Sequence, residues 1–174
     1  MKMIDYIRSS FKDILDIERK LNTLEDEMST HYDEKIVSKY NDLLSRYEYM
    51  GGYKYKKEIE VILSKFDFSD KDKYKYLNEF SGGQITKLSL IRLLLSKPDL
   101  LILDEPTNHL DIKAIEWLED YLKGYKGSII LVSHDRMFLD NVCNVIYDIE
   151  SVSYTHLRAH GTSQDLVCRL LLEK

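Results

Sequence analysis

Two short apolar runs constrain this chain more than any other feature: Leu100-Leu101-Ile102-Leu103 and Ser128-Ile129-Ile130-Leu131-Val132-Ser133. Unbroken apolar runs of this length predict strands buried on both faces, where a strand with one wet face would alternate. Between them Asp111 is placed to cap a helix whose inner face carries Ile115, Leu118 and Leu122. Strand, helix and strand in this order predict a parallel βαβ unit and therefore an α/β fold.

The residues before this unit follow a helical period. Ile7, Ile14, Leu21 and Met28 recur every seven residues, and Ile4, Phe11, Ile17 and Leu24 fill the gaps. Ser29-Thr30-His31-Tyr32 interrupts the stripe, which resumes at Ile36, Tyr40, Leu43, Tyr47 and Met50. Gly51-Gly52 then predicts a helix end, since glycine accepts the left-handed conformation of a C-terminal cap. Two stripes joined by a polar turn predict an antiparallel helical hairpin, either projecting as an arm or packed into a core. A third helix is expected over residues 53–66, with Ile59, Ile62, Leu63 and Phe66 on one face. Lys54, Lys56 and Lys57 on this stretch read as a solvated face, with an RNA contact as the alternative.

Composition narrows the class. At 174 residues, 44% hydrophobic and 32% charged, the chain suits one globular domain. No apolar run approaches the roughly 20 residues of a membrane span, and residues 1–10 lack a signal-peptide pattern. Cys143 and Cys168 stand far apart, in no metal-like spacing, which points to a reducing, cytoplasmic setting. A net charge of -5 gives no global basic footprint for nucleic acid.

Three constellations carry chemistry. Ser81-Gly82-Gly83-Gln84 opens a helix running through Leu88, Ile91, Leu94 and Leu95. Free N–H groups at a helix start, approached closely past glycines, form an anion-binding device, although Ser81 would also serve as a plain N-cap. Asp104-Glu105 ends the first apolar strand, where open α/β sheets place ligands. One carboxylate suits a Mg²⁺ shell, while the next, pointing away, suits orientation of an attacking water. Ser133-His134-Asp135-Arg136 ends the second strand and puts a histidine at the same sheet edge.

Together these residues resemble the ATP-binding cassette family. Phe80, Ser81, Gly82, Gly83 and Gln84 resemble its signature motif, and Leu101 to Glu105 its Walker B motif. Asn108-His109-Leu110-Asp111 resembles the D-loop, and His134 the switch histidine. The run from Glu105 to Asp111, with Val132-Ser133-His134-Asp135-Arg136, resembles the F subfamily. Glu116-Trp117-Leu118-Glu119-Asp120-Tyr121-Leu122 looks like the first of its two cassettes. Those proteins are soluble twin-cassette ATPases, without membrane domains, that act on ribosomes. The resemblance implies a P-loop cassette with a parallel sheet, an inserted helical subdomain over residues 1–66 and a cassette core over 67–150. It implies ATP and Mg²⁺ as cofactors, with Asp104 holding Mg²⁺ through water. Glu105 would be the catalytic base and His134 would touch the γ-phosphate. Ser81, Gly82, Gly83 and Gln84 would bind ATP held by a second cassette, and Asp111 would signal across that interface. The hairpin would be the arm that reaches ribosomal RNA.

The sequence also departs from the family. Phe80 stands where leucine is usual, and Lys87 where arginine is common. No Gly-x-x-x-x-Gly-Lys-Ser/Thr loop occurs, so the chain alone is expected to be inactive, the chain starting after that loop. Residues 151–174 show neither strand alternation nor a helical stripe over their first ten positions and read as a non-native tail. His156, His160 and Cys168 there support no definite metal site. Two other functions stay open: the nucleotide-binding subunit of a membrane transporter, and a non-catalytic module binding RNA or protein. The Asn-His-Leu-Asp loop and the hairpin argue against the transporter.

Overall fold

A computed structural model describes residues 1–30, 33–150, 153–157 and 168–172, with side chains described as far as Tyr147. The first apolar stripe folds as α1 (Met3–Arg8), a 3-10 turn (Ser9–Phe11) and α2 (Lys12–Thr30). Met3, Ile7, Phe11, Ile14, Ile17 and Leu21 are all buried, which is the expected single face carried through the turn. The polar interruption lies partly outside the described residues, and α3 (Glu34–Tyr49) starts beyond it. Asp33 caps α3, its carboxylate accepting from the Lys35 N–H at 2.9 Å.

α2 and α3 form the expected hairpin. Tyr40 donates its hydroxyl to Glu25 at 2.7 Å, and Glu18 lies beside Tyr47, a pairing that runs antiparallel. Burial fades along it. Ile14, Ile17, Leu21 and Tyr47 are buried at the root, whereas Leu24, Met28, Ile36, Tyr40 and Leu43 are half-buried toward the turn.

The end of α3 is built as the glycine pair predicts. Gly51 has a φ of 79° and donates to the Glu48 carbonyl at 2.9 Å, while Gly52 donates to that of Tyr47 at 2.8 Å. These are the two bonds of a Schellman cap. A Cβ on Gly52 would come within 2.4 Å of the Tyr47 ring, so the second glycine serves close approach. Gly51→Ala, which meets no neighbour but must hold the left-handed conformation, is expected to lose about 1 kcal/mol in urea melts. An unchanged midpoint would contradict this account of the cap.

α4 (Tyr55–Lys65) buries Tyr55, Ile59, Ile62 and Leu63. Two 3-10 turns, Asp72–Tyr74 and Leu77–Glu79, lead to α5 (Gly82–Ser96), which buries Leu88, Ile91, Leu94 and Leu95. Then follow β1 (Leu100–Asp104), α6 (Ile112–Lys123), β2 (Ser128–Ser133), α7 (Arg136–Val142) and β3 (Ile146–Glu150). β1 and β2 pair in parallel, Leu100 opposite Ser128 and Asp104 opposite Val132, with α6 as the crossover. The βαβ unit, and with it the α/β fold, is therefore present. One continuous apolar core runs from Met3 to Ile146.

One expectation is corrected. β1 is buried on one face only: Leu101 and Leu103 are inside, while Leu100 is 47% and Ile102 61% exposed. β1 is also the end strand of the described sheet, and Ile102 opens onto a cavity shared with α5. Parts of the stretch read as a non-native tail pair with the sheet. β4 (Ser153–Leu157) pairs antiparallel with β3, and β5 (Cys168–Leu172) pairs antiparallel with both β2 and β3. The sheet order is β1-β2-β5-β3-β4, so antiparallel strands join the parallel pair. Tyr154 and Thr155 favour extended backbone, and the ladder from β3 gives it partners without needing an apolar alternation. The side chains of His156 and Cys168, and all of His160, lie outside what is described.

Candidate functional site

The signature helix opens with a reciprocal cap. The Ser81 hydroxyl accepts from the Gln84 N–H at 3.3 Å, and the Gln84 side chain accepts from the Ser81 N–H at 3.0 Å. Both polar side chains thus act structurally, as the plain-cap reading required. The glycines are different. A Cβ on Gly82 would meet nothing within 4 Å, and one on Gly83 would make only ordinary contact with the His109 ring at 3.7 Å. Neither has a positive φ. Packing therefore leaves the glycines without a role, although each costs about 1 kcal/mol relative to alanine within a helix.

The approach to this helix is fixed. Asp72 accepts from the Ser69 N–H at 2.8 Å, the Ser69 hydroxyl at 2.6 Å and the Lys75 ammonium at 2.6 Å. The Lys75 bond, helped by the two from Ser69, holds its carboxyl down at about 2. Beside it the N-terminus bridges the chain, Leu77 donating to the Met1 carbonyl and Met3 to that of Lys75.

At the other end of the sheet, Asp104 closes β1 with its side chain exposed. Glu105 leaves the strand with a φ of 46°, a left-handed conformation that costs a non-glycine residue roughly 1–2 kcal/mol. Its N–H donates to the Val132 carbonyl at 2.8 Å, which ties the turn to β2. The turn, more than strand alternation, aims the side chain. Glu105 Oε2 accepts from the His134 N–H at 3.3 Å, and Oε1 lies 3.2 Å from His134 Nε2. That second approach lacks hydrogen-bond geometry, so Oε1 is a buried carboxylate oxygen with no hydrogen-bond partner among the described residues. Such an atom is costly unless something completes it. The His134 side chain is 70% exposed and Glu105 21%, so the pair is open on the histidine side. A cavity of about 240 Å³ between α5 and β1 is lined by Asp104, Glu105, Lys87 and Asn108 among others.

Asp111 accepts from the Ala114 N–H at 2.8 Å and caps α6. The loop before it is a chain of turns, Asn108 donating to the Glu105 carbonyl and Leu110 to that of Thr107. His109 within it is left-handed, with a φ of 66°, and its ring stands beside Gly83. The D-loop and the signature helix are thus neighbours. Sequence reasoning passed over His109 as a site neighbour; only the left-handed tolerance of a Thr-Asn-His turn hinted at it. Among the described residues no hydrogen bond or ion pair joins Ser81, Gly82, Gly83 or Gln84 to Asp104, Glu105 or His134. The chain carries two separate groups of candidate site residues: Glu105 with His134 at the strand ends, and the uncovered glycines at the start of α5.

A strand ending in two carboxylates, a histidine on the parallel neighbour and a glycine-opened helix are the parts of an ATP-binding cassette. The sequence profile of the ABC transporter family matches residues 4–108, and the chain belongs to that family. Its relatives include F-type proteins. It is 36% identical over 146 residues to ABC transporter F family member 2 of Arabidopsis thaliana, covering 81% of this chain and 22% of that protein. It is 36% identical over 131 residues to the energy-dependent translational throttle protein EttA of Mycobacterium tuberculosis, covering 75% and 23%. The ATP-binding protein Uup of Haemophilus influenzae is 33% identical over 148 residues, covering 85% and 22%. The chain spans about a fifth of the length of these relatives. None of the described helices is long and apolar enough to cross a membrane.

Proposed function

We propose that this chain supplies the Walker B, switch-histidine and signature parts of a cassette that hydrolyses ATP in a soluble, cytoplasmic twin-cassette protein working on ribosomes. The buried Oε1 of Glu105, 3.2 Å from His134 Nε2 and without a hydrogen bond among the described residues, carries the reading. A carboxylate oxygen held in a strained turn without a donor fits a water that Glu105 would orient and deprotonate for attack on the γ-phosphate. Bound Mg²⁺ and ATP would supply the electrophile and neutralise its charge. The exposed carboxylate of Asp104 suits a Mg²⁺ shell reached through water. His134, open on one side, would donate to the γ-phosphate. Ser81, Gly82, Gly83 and Gln84 would present their helix start to ATP on the opposing cassette, with Asp111 and its loop relaying contact across the interface. The hairpin, losing burial toward its turn, would be the arm that meets ribosomal RNA, in keeping with the translational name of the mycobacterial relative.

A chimera provides the test. Residues 1–150 replace the matched segment of Haemophilus influenzae Uup, and ATP turnover is measured in the purified protein. Retained turnover supports the reading. A folded chimera that binds ATP but does not hydrolyse it overturns the assignment of Glu105 and His134.

A further inference from the structure

The lysine cluster at the start of α4 divides in the structure. Lys56 turns to Glu18, its ammonium 3.0 Å from the carboxylate, while Lys54 and Lys57 line a groove between α4 and α6. The groove has a volume of about 530 Å³, within the range of small binding sites. Its floor is Ile62 and Leu95, both buried, and its walls are Val61, 44% exposed, with Trp117 and Tyr121.

The aromatic wall is rigid. The Trp117 and Tyr121 rings stack at 5.2 Å, and Phe66 meets Trp117 edge-on at 5.6 Å. Tyr121 donates its hydroxyl to the Leu94 carbonyl at 2.7 Å, and burial pushes that hydroxyl up to about 12, so the bond persists across ordinary pH. With the Tyr121 hydroxyl committed, the indole N–H of Trp117 is the one side-chain polar group left on the walls Val61, Trp117 and Tyr121, and it can only donate.

The rim is basic. Lys54, Lys57 and Lys97 stand against the single acid Glu58, which Lys97 holds at 2.7 Å. Among the described residues Lys54 and Lys57 make no ion pair. This excess sits on a chain whose net charge is -5. An occupant therefore needs an apolar body and a negative surround. A nucleobase would surrender its edge hydrogen bonds to a floor that cannot replace them, which disfavours nucleic acid despite the lysines.

We propose that this groove docks a peptide segment in which apolar anchor side chains are flanked by acidic residues. The anchors sit against Trp117, Val61 and the floor, and the carboxylates meet Lys54 and Lys57 at the rim.

Trp117 is the only tryptophan of the sequence, so its fluorescence reports on this groove directly. The full chain is titrated with the capped peptide Glu-Asp-Phe-Leu-Asp-Glu, with a version whose Phe and Leu are alanine, with a version whose acids are lysine, and with oligouridylate. A saturable change in emission with the first peptide only is expected. Lys57→Glu, an exposed change whose folding circular dichroism verifies, should weaken it about tenfold, equal to about 1.4 kcal/mol. Lys54→Glu gives an independent check at the other side of the rim. Response to the alanine or lysine peptide of equal strength, tighter saturation by oligouridylate, or no response at millimolar peptide overturns the proposal.

Discussion

The purified 174-residue chain is expected to release no phosphate from ATP above background. Glu105 and His134 stand ready at the strand ends, yet phosphoryl transfer depends mostly on positioning, and the sequence holds no Gly-x-x-x-x-Gly-Lys-Ser/Thr loop to grip the β- and γ-phosphates. A carboxylate beside an unheld phosphate has nothing to act on. Within the Uup chimera, where such a grip is supplied, Glu105→Gln should cut turnover by about 10²–10⁴-fold, the usual weight of a general base. ATP affinity should change little, because in the proposed role Glu105 would act on the water and would not hold the nucleotide. Turnover by the isolated chain that Glu105→Gln abolishes would sink the first expectation. A chimera indifferent to Glu105→Gln would sink the second.

The largest effect on stability is expected at Gly127. A Cβ there would lie 2.6 Å from the Asp99 carbonyl oxygen, 3.0 Å from that of Pro98 and 2.9 Å from the Tyr125 ring. None of these yields easily. Asp99 O accepts from the Ser128 N–H at 2.8 Å, next to the first rung of the β1–β2 ladder, and Pro98 O accepts from the Tyr125 hydroxyl. Gly127→Ala must displace backbone and break at least one of these bonds. The loss should be about 3 kcal/mol, lowering Tm by on the order of 10 °C. Gly82→Ala is the contrast: with open space around it, alanine should leave stability unchanged or raise it by up to about 1 kcal/mol. Paired urea melts decide. A Gly127→Ala midpoint near that of the parent, or a Gly82→Ala protein that melts early, removes the distinction between a glycine the fold needs and one it does not.

That distinction also separates what was legible in the sequence from what was not. The helical period and the glycine pair marked α2, α3 and the end of α3 because burial on one face and a left-handed cap are local demands. The apolar runs marked β1 and β2 and their parallel crossover for the same reason. They overstated the burial of β1, since whether Ile102 is covered depends on elements far along the chain and on the strand's place in the sheet. β4 left no periodic trace, since Ser153-Tyr154-Thr155-His156-Leu157 has no apolar alternation and pairs through its backbone with β3. In the site, residue types and order singled out Asp104, Glu105 and His134. The left-handed turn at Glu105, its oxygen without a donor and the approach of His109 to Gly83 arise only when the chain is folded.

The root of the hairpin has a mechanical meaning. Ser10, in the turn that feeds α2, donates its hydroxyl to the Arg92 carbonyl of α5 at 2.9 Å, and Arg92 lies over the Tyr6 ring at 4.6 Å. Tyr6 also meets Ser89 at 3.2 Å. The stem of the hairpin is therefore clamped onto the helix whose first residues are the glycines. At about 1.5 Å per residue, the 19 residues of α2 make a beam roughly 28 Å long, buried at its foot and more exposed toward its far end. A load at the free end is borne at the foot, where the part it bears on is the signature helix.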